Sequence, residues 1–117
     1  MPACILRRFD DPDDTRTFAR GSFAIIRIAG MVLGRARYEP GWKWSEHVAP
    51  LAGTASCQVA HLGFVVEGRA AVRMDGGSEH ELNAGDIFQI APGHDSWVIG
   101  DEPYVSIHFL GADQYAA

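Results

Sequence analysis

The chain has 117 residues, 47% of them hydrophobic and 21% charged, a balance that suits a packed globular protein and argues against disorder. A formal charge of −5, with basic residues scattered apart from Arg7-Arg8, is unfavourable for a phosphate backbone, so no nucleic-acid partner is expected. No apolar run approaches the roughly 18 to 20 residues that span a bilayer, and Ala3-Cys4-Ile5-Leu6 is too short for a secretory core segment; the expectation is a cytoplasmic protein with no membrane partner.

This length fits one hydrophobic core, large enough to stand without a disulfide framework or a structural metal, so a bound metal would be functional. Two cysteines, Cys4 near the terminus and Cys57 in a predicted strand, make no such framework and are read as reduced thiols.

Residues 1–21 are polar and read as an N-terminal arm, in which Asp11-Pro12-Asp13-Asp14 has the form of a capped helical turn. Residues 22–117 are assigned to a single barrel domain. β-Branched and aromatic residues come there in short runs, at 23–28, 31–38, 57–66, 70–74, 87–90, 97–99 and 104–110, separated by glycine and proline. Asp75-Gly76-Gly77 predicts a tight hairpin between Val72 and Leu82, and Asn83-Ala84-Gly85-Asp86 and Gly100-Asp101-Glu102-Pro103 predict two further turns. The pattern is all-β, a sandwich or barrel with little or no helix. Residues 39–56 differ, because Pro40, Gly41, Pro50 and Gly53 interrupt a segment that holds Trp42 and Trp44; a long, partly irregular loop over one mouth of the barrel is expected.

Three histidines, His47, His61 and His94, fall in three separate stretches of strand or turn. Neutral imidazole is the commonest protein ligand for transition metals, so a small β-rich chain that gathers three of them invites a metal site. Cys57 is a fourth candidate, since alternation puts 57 and 61 on one face of a strand, although a buried cysteine also serves as a small apolar core residue. His47, in the irregular segment, is as well explained as a surface histidine. His80, between Glu79 and Glu81, reads as exposed and is left out. His108 alternates with Ser106 and can face either a polar interior or water. Trp42, Trp44 and Trp97 can wall a ligand pocket or pack on a sheet face. Asp95, next to His94, points to the opposite side of an extended strand, and turn capping is its expected role.

Gly85-Asp86-Ile87-Phe88-Gln89-Ile90-Ala91-Pro92-Gly93-His94, together with Glu67-Gly68 and His61 seven residues before Gly68, resembles the paired motifs of the cupin superfamily. The resemblance covers roughly residues 41–110. In this chain a histidine directly follows the glycine of the second motif, Ser96 holds the usual histidine place, and His61 stands where the family has a glutamate. The resemblance implies a double-stranded β-helix, or jelly-roll barrel, with a metal or ligand inside. Its implied centre is a divalent transition metal (zinc, iron, nickel, manganese or copper) held by His47, His61 and His94, with Cys57 as a possible fourth ligand. Trp42, Trp44, Trp97 and His108 are the expected contacts to a small organic ligand, and a homodimer is the expected assembly. Enzyme activity is left open, with a metal-free, non-catalytic effector-binding module as the alternative.

Overall fold

The computed structural model describes residues 3–116. Nine strands form two sheets: β1 (Asp14–Phe18), β2 (Gly21–Ile28), β3 (Met31–Tyr38), β4 (His61–Glu67), β5 (Arg69–Met74), β6 (Glu79–Asn83), β7 (Ile87–Ile90), β8 (His94–Val98) and β9 (Tyr104–Leu110). The larger sheet runs in the order β1-β2-β3-β9-β4-β7 and the smaller in the order β6-β5-β8. Every strand pairing is antiparallel. The last strand therefore inserts between β3 and β4, which is the crossing connection of a jelly roll. Among the described residues helix is confined to two four-residue pieces, α1 (Trp44–His47) and α2 (Ala49–Ala52), inside the segment expected to be irregular.

The hairpin at Asp75-Gly76-Gly77 forms as its sequence dictates, with Val72 opposite His80 and Gly77 donating to the Met74 carbonyl. At Asn83–Asp86 the Asp86 carboxylate accepts the Asn83 N–H at 2.8 Å and closes the turn. Three local expectations are corrected. Asp11–Asp14 forms no helical turn, and Asp14–Phe18, read as part of the arm, pairs along its full length with β2. A mostly polar edge strand carries no clear apolar alternation, so its sequence looks like a linker. The run at 57–66 is also not one strand: β4 starts at His61, and Cys57 makes only an isolated bridge with His94.

The two sheets enclose a core that includes Phe23, Ile25, Tyr38, Trp42, Val65 and Phe88. Alternation along β4 and β9 turns His61, Gly63 and Val65, and Tyr104, Ser106 and His108, toward this interior, and all except Gly63 are buried side chains. His108 lies in register between Gly34 on β3 and Gly63 on β4. Its ring stands 5.3 Å from both Phe23 and Phe88, and a Cβ at Gly34 would strike the Phe23 ring while one at Gly63 would strike the Ile107 carbonyl. The two glycines make room for a bulky aromatic layer around a buried imidazole.

Candidate metal centre

Strand geometry brings Cys57, His61 and His94 together: their ligand atoms all lie within 4.8 Å of one another and all three residues are buried. His61 comes from the first residue of β4, His94 from the first residue of β8, and Cys57 from the bridge that joins its own backbone to that of His94. Cys57 donates its N–H to the His94 carbonyl at 2.7 Å and accepts the Gly93 N–H at 2.7 Å, which fixes the thiol relative to the imidazole. The Cys57 Sγ is 3.6 Å from His61 Nε2. His94 Nδ1 donates to the Ala91 carbonyl at 2.8 Å, leaving its Nε2 as the lone-pair nitrogen, an orientation that metal-binding histidines commonly require.

His108 forms the adjoining wall, its ring 5.3 Å from that of His61 and its Nε2 2.8 Å from the Ser106 hydroxyl. The buried Nδ1 atoms of His61 and His108 have no hydrogen-bond partner among the described residues. Unpaired buried nitrogens are costly unless something else engages them, which fits a site built to hold an ion.

Electrostatics follow from burial. Desolvation, then the neighbouring His108 and His94, pushes His61 down to about 2, and desolvation takes His108 down to about 4 and lowers His94. These rings are neutral at physiological pH, the form that coordinates. Burial pushes the Cys57 thiol up to about 11, so the thiol is protonated until an ion displaces its proton. A soft sulfur beside imidazole nitrogens suits zinc, copper or nickel better than calcium or magnesium.

His47 is not brought to this group. Residues 44–47 fold into α1, and its Nδ1 accepts the Lys43 N–H at 2.9 Å, half-buried at the end of the helix. Grouping His47 with the other two imidazoles assumes strand or turn at this position, and α1 breaks that assumption. Trp42 and Trp44 do line the interior chamber, Trp42 stacked on Tyr38 at 3.8 Å. Trp97 does not line it; its ring lies under the Lys43 ammonium at 5.4 Å. Asp95 accepts the Ser45 N–H at 3.0 Å and the Ser45 hydroxyl at 2.8 Å, so it holds the start of α1 and is no ligand. His80 is exposed, as expected.

The chamber has a volume of about 40 Å³, enough for an ion and one or two waters. No carboxylate and no Lys or Arg side chain of the described residues lines it. Tyr115 belongs to its wall, its ring 5.5 Å from His61, and was not foreseen. It arrives on the segment after β9, where Arg16 of β1 donates to the carbonyls of Ala112, Asp113 and Tyr115 at 3.0, 3.0 and 2.6 Å. Its ring packs on Phe23 at 4.8 Å, a contact between segments far apart in the chain.

No family model and no curated protein matches the sequence. Solved structures do. A protein of unknown function from Rhizobium leguminosarum superposes with a TM-score of 0.58 at 21% identity, covering 77% of this chain and 79% of that one. The 11S allergen of Cocos nucifera gives 0.62 at 19% identity over 89% of this chain, and the Lactobacillus farciminis oxalate decarboxylase in its formate complex gives 0.57 at 19% over 87%. This chain spans only about a third of the length of those two, 34% and 32%. With nine strands in two antiparallel sheets, motifs at 85–94 and 61–68, and these superpositions, the chain has the cupin fold.

Proposed function

We propose that this protein is a small metal-binding cupin in which Cys57, His61 and His94 hold a divalent transition metal, His108 borders the open side, and a small organic molecule reaches the ion. The observation that carries this reading is the buried convergence of one thiol and two neutral imidazoles within 4.8 Å. Three protein ligands leave a position for water or a ligand atom. When bound, such an ion polarises an oxygen or nitrogen donor placed on it.

The chain's own residues supply binding and exclusion. Ala91 sets the His94 tautomer, Trp42 and Phe88 give the chamber apolar walls, and Ser106 orients His108. Since the chamber lining holds no carboxylate, this reading assigns no acid or base and stops at binding. That same feature supports a second reading, a non-catalytic effector-binding module.

The partner belonging to this proposal is a second copy of the chain. Leu62, Val66, Ile87 and Phe109 are exposed, Phe64 packs its ring 5.9 Å from Phe109, and together they form an apolar outer face over β7, β4 and β9. A two-fold pairing of that face would cover it in both copies at once.

The test is metal content. Untagged protein reconstituted with Zn²⁺ or Co²⁺ and desalted is expected to retain about one ion per chain, and His61→Ala and His94→Ala are expected to retain none. A wild-type protein that holds no ion but binds a small ligand would move the assignment to the effector module.

A further inference from the structure

The chamber is closed on one side and thin on another. Trp44 and Tyr115 line both the chamber and a second cavity of about 210 Å³ beside α2, so they stand between the two, with His61 and His94 on the chamber side and Cys57 on the side of the second cavity, and Arg16 pins the Tyr115 segment. On the opposite side β6 and β7 are edge strands of different sheets, and a groove of about 510 Å³ runs between them. Val72, Leu82, Phe88 and Ile90 line both this groove and the chamber. They are one shared wall, made of four apolar side chains. Val72 and Phe88 are buried, whereas Leu82 and Ile90, on the two free edges, are only half-buried and pack against the core from its rim.

From this continuity we infer that the ligand of the proposed metal centre enters sideways between β6 and β7, past Leu82 and Ile90, and that it is an uncharged, elongated molecule with an apolar body and one donor atom at its tip. The inference rests on the metal-binding reading for the donor atom alone. Its size follows from volume: a groove of about 510 Å³ falls within the usual range for a small-molecule site, whereas the chamber admits only the tip. Its charge follows from the lining. Glu81 and Asp86 edge the groove, His80 between Glu79 and Glu81 is its one basic side chain and no Lys or Arg of the described residues lines it, and the chamber beyond holds neutral imidazoles. An anionic body would lose its hydration, pass two carboxylates and meet no Lys or Arg along the way. This separates the chain from the oxalate decarboxylases that share its fold, whose named substrate is a small dianion.

The experiment uses 4-phenylimidazole as the probe, imidazole as its truncated form, and the same two-ring molecule with a carboxylate on the phenyl as its charged form. In metal-free protein, methyl NMR signals of Val72, Leu82 and Ile90 are expected to shift on titration with 4-phenylimidazole. No shift, or shifts confined to Leu51 and Val59 in the second cavity, would overturn the route. In Co²⁺-loaded protein, read by the visible absorption of the ion, 4-phenylimidazole is expected to bind at least tenfold tighter than imidazole and at least tenfold tighter than its carboxylated form. Leu82→Trp and, independently, Ile90→Trp should erase the advantage of the phenyl ring, bringing the ratio of 4-phenylimidazole to imidazole affinity in Co²⁺-loaded protein from at least ten to about one. Equal binding of the charged and uncharged forms would overturn the ligand class, and a phenyl advantage that survives both tryptophans would overturn the entry route. Should Co²⁺ not bind at all, the metal centre fails and the methyl shifts alone decide the groove.

Discussion

His61 is 4% exposed, has an unpaired buried Nδ1, and faces two other imidazoles, which is an expensive position for a polar ring in an apolar chamber. If that cost is borne for ion binding, His61→Leu should abolish metal retention and at the same time stabilise the metal-free protein, by about 1 kcal/mol in urea unfolding. Cys57 has a distinct signature. Co²⁺-loaded wild type should show a near-ultraviolet sulfur-to-cobalt band that Cys57→Ala lacks, and the affinity of wild type should rise with pH because an ion must displace the thiol proton. The buried histidines also set an acid limit. Their folded values lie below the ordinary 6.5, so the unfolded chain binds more protons in acid, and stability falls as pH drops below about 6.5 toward their depressed values. At pH 5, His61 and His108 should each withdraw about 2 kcal/mol from the metal-free protein relative to pH 7.5, a loss measurable by denaturant unfolding at the two pH values.

Strands and turns explain which of these residues meet. β4 and β9 supply His61 and His108 because alternation and register place both on the inner face, beside the gap left by Gly34 and Gly63. Gly63→Ala would drive a methyl into the Ile107 carbonyl and the Phe88 ring, and about 3 kcal/mol of lost stability is expected in chemical denaturation. The segment after β9 is held differently, by the Arg16 guanidinium on three carbonyls. Arg16→Ala should cost about 2 kcal/mol and should speed amide exchange at Ala112–Tyr115 well before it changes exchange in β9. The hairpin at Asp75-Gly76-Gly77 and the turn at Asn83–Asp86 were legible because glycine and aspartate encode them locally. β1 was not, since an edge strand facing water needs no apolar face, and α1 was not, since a four-residue helix is too short to display a helical period.

The molecule as a whole presents two unlike surfaces, an apolar outer face over β7, β4 and β9 and a groove between β6 and β7. Light scattering on the eluting protein should give twice the chain mass, and Phe109→Glu combined with Ile87→Glu should return it to the chain mass without altering metal retention, because these side chains point away from the chamber. A monomeric wild type would remove the second copy from the proposal. No helix among the described residues is long and apolar enough to cross a membrane.

Short apolar runs and turn glycines were enough to specify an all-β fold, because alternation and turn chemistry act between neighbours in the chain, and the resemblance around Gly85-Asp86 pointed to the cupin barrel; the candidate ligands His47, His61, His94 and Cys57 were named from residue type, and Cys57 meets His94 through an isolated bridge and not through the strand alternation expected of it. The exclusion of His47 and Trp97 from the chamber, the presence of Tyr115 in it and the lateral groove were decided by three-dimensional packing. Each depends on how distant segments lie against one another: a loop that coils into α1, a bridge from Cys57 to His94, a tail fastened by Arg16, two sheet edges left apart. Such distances are set by the closure of the barrel, which no local run of residues encodes.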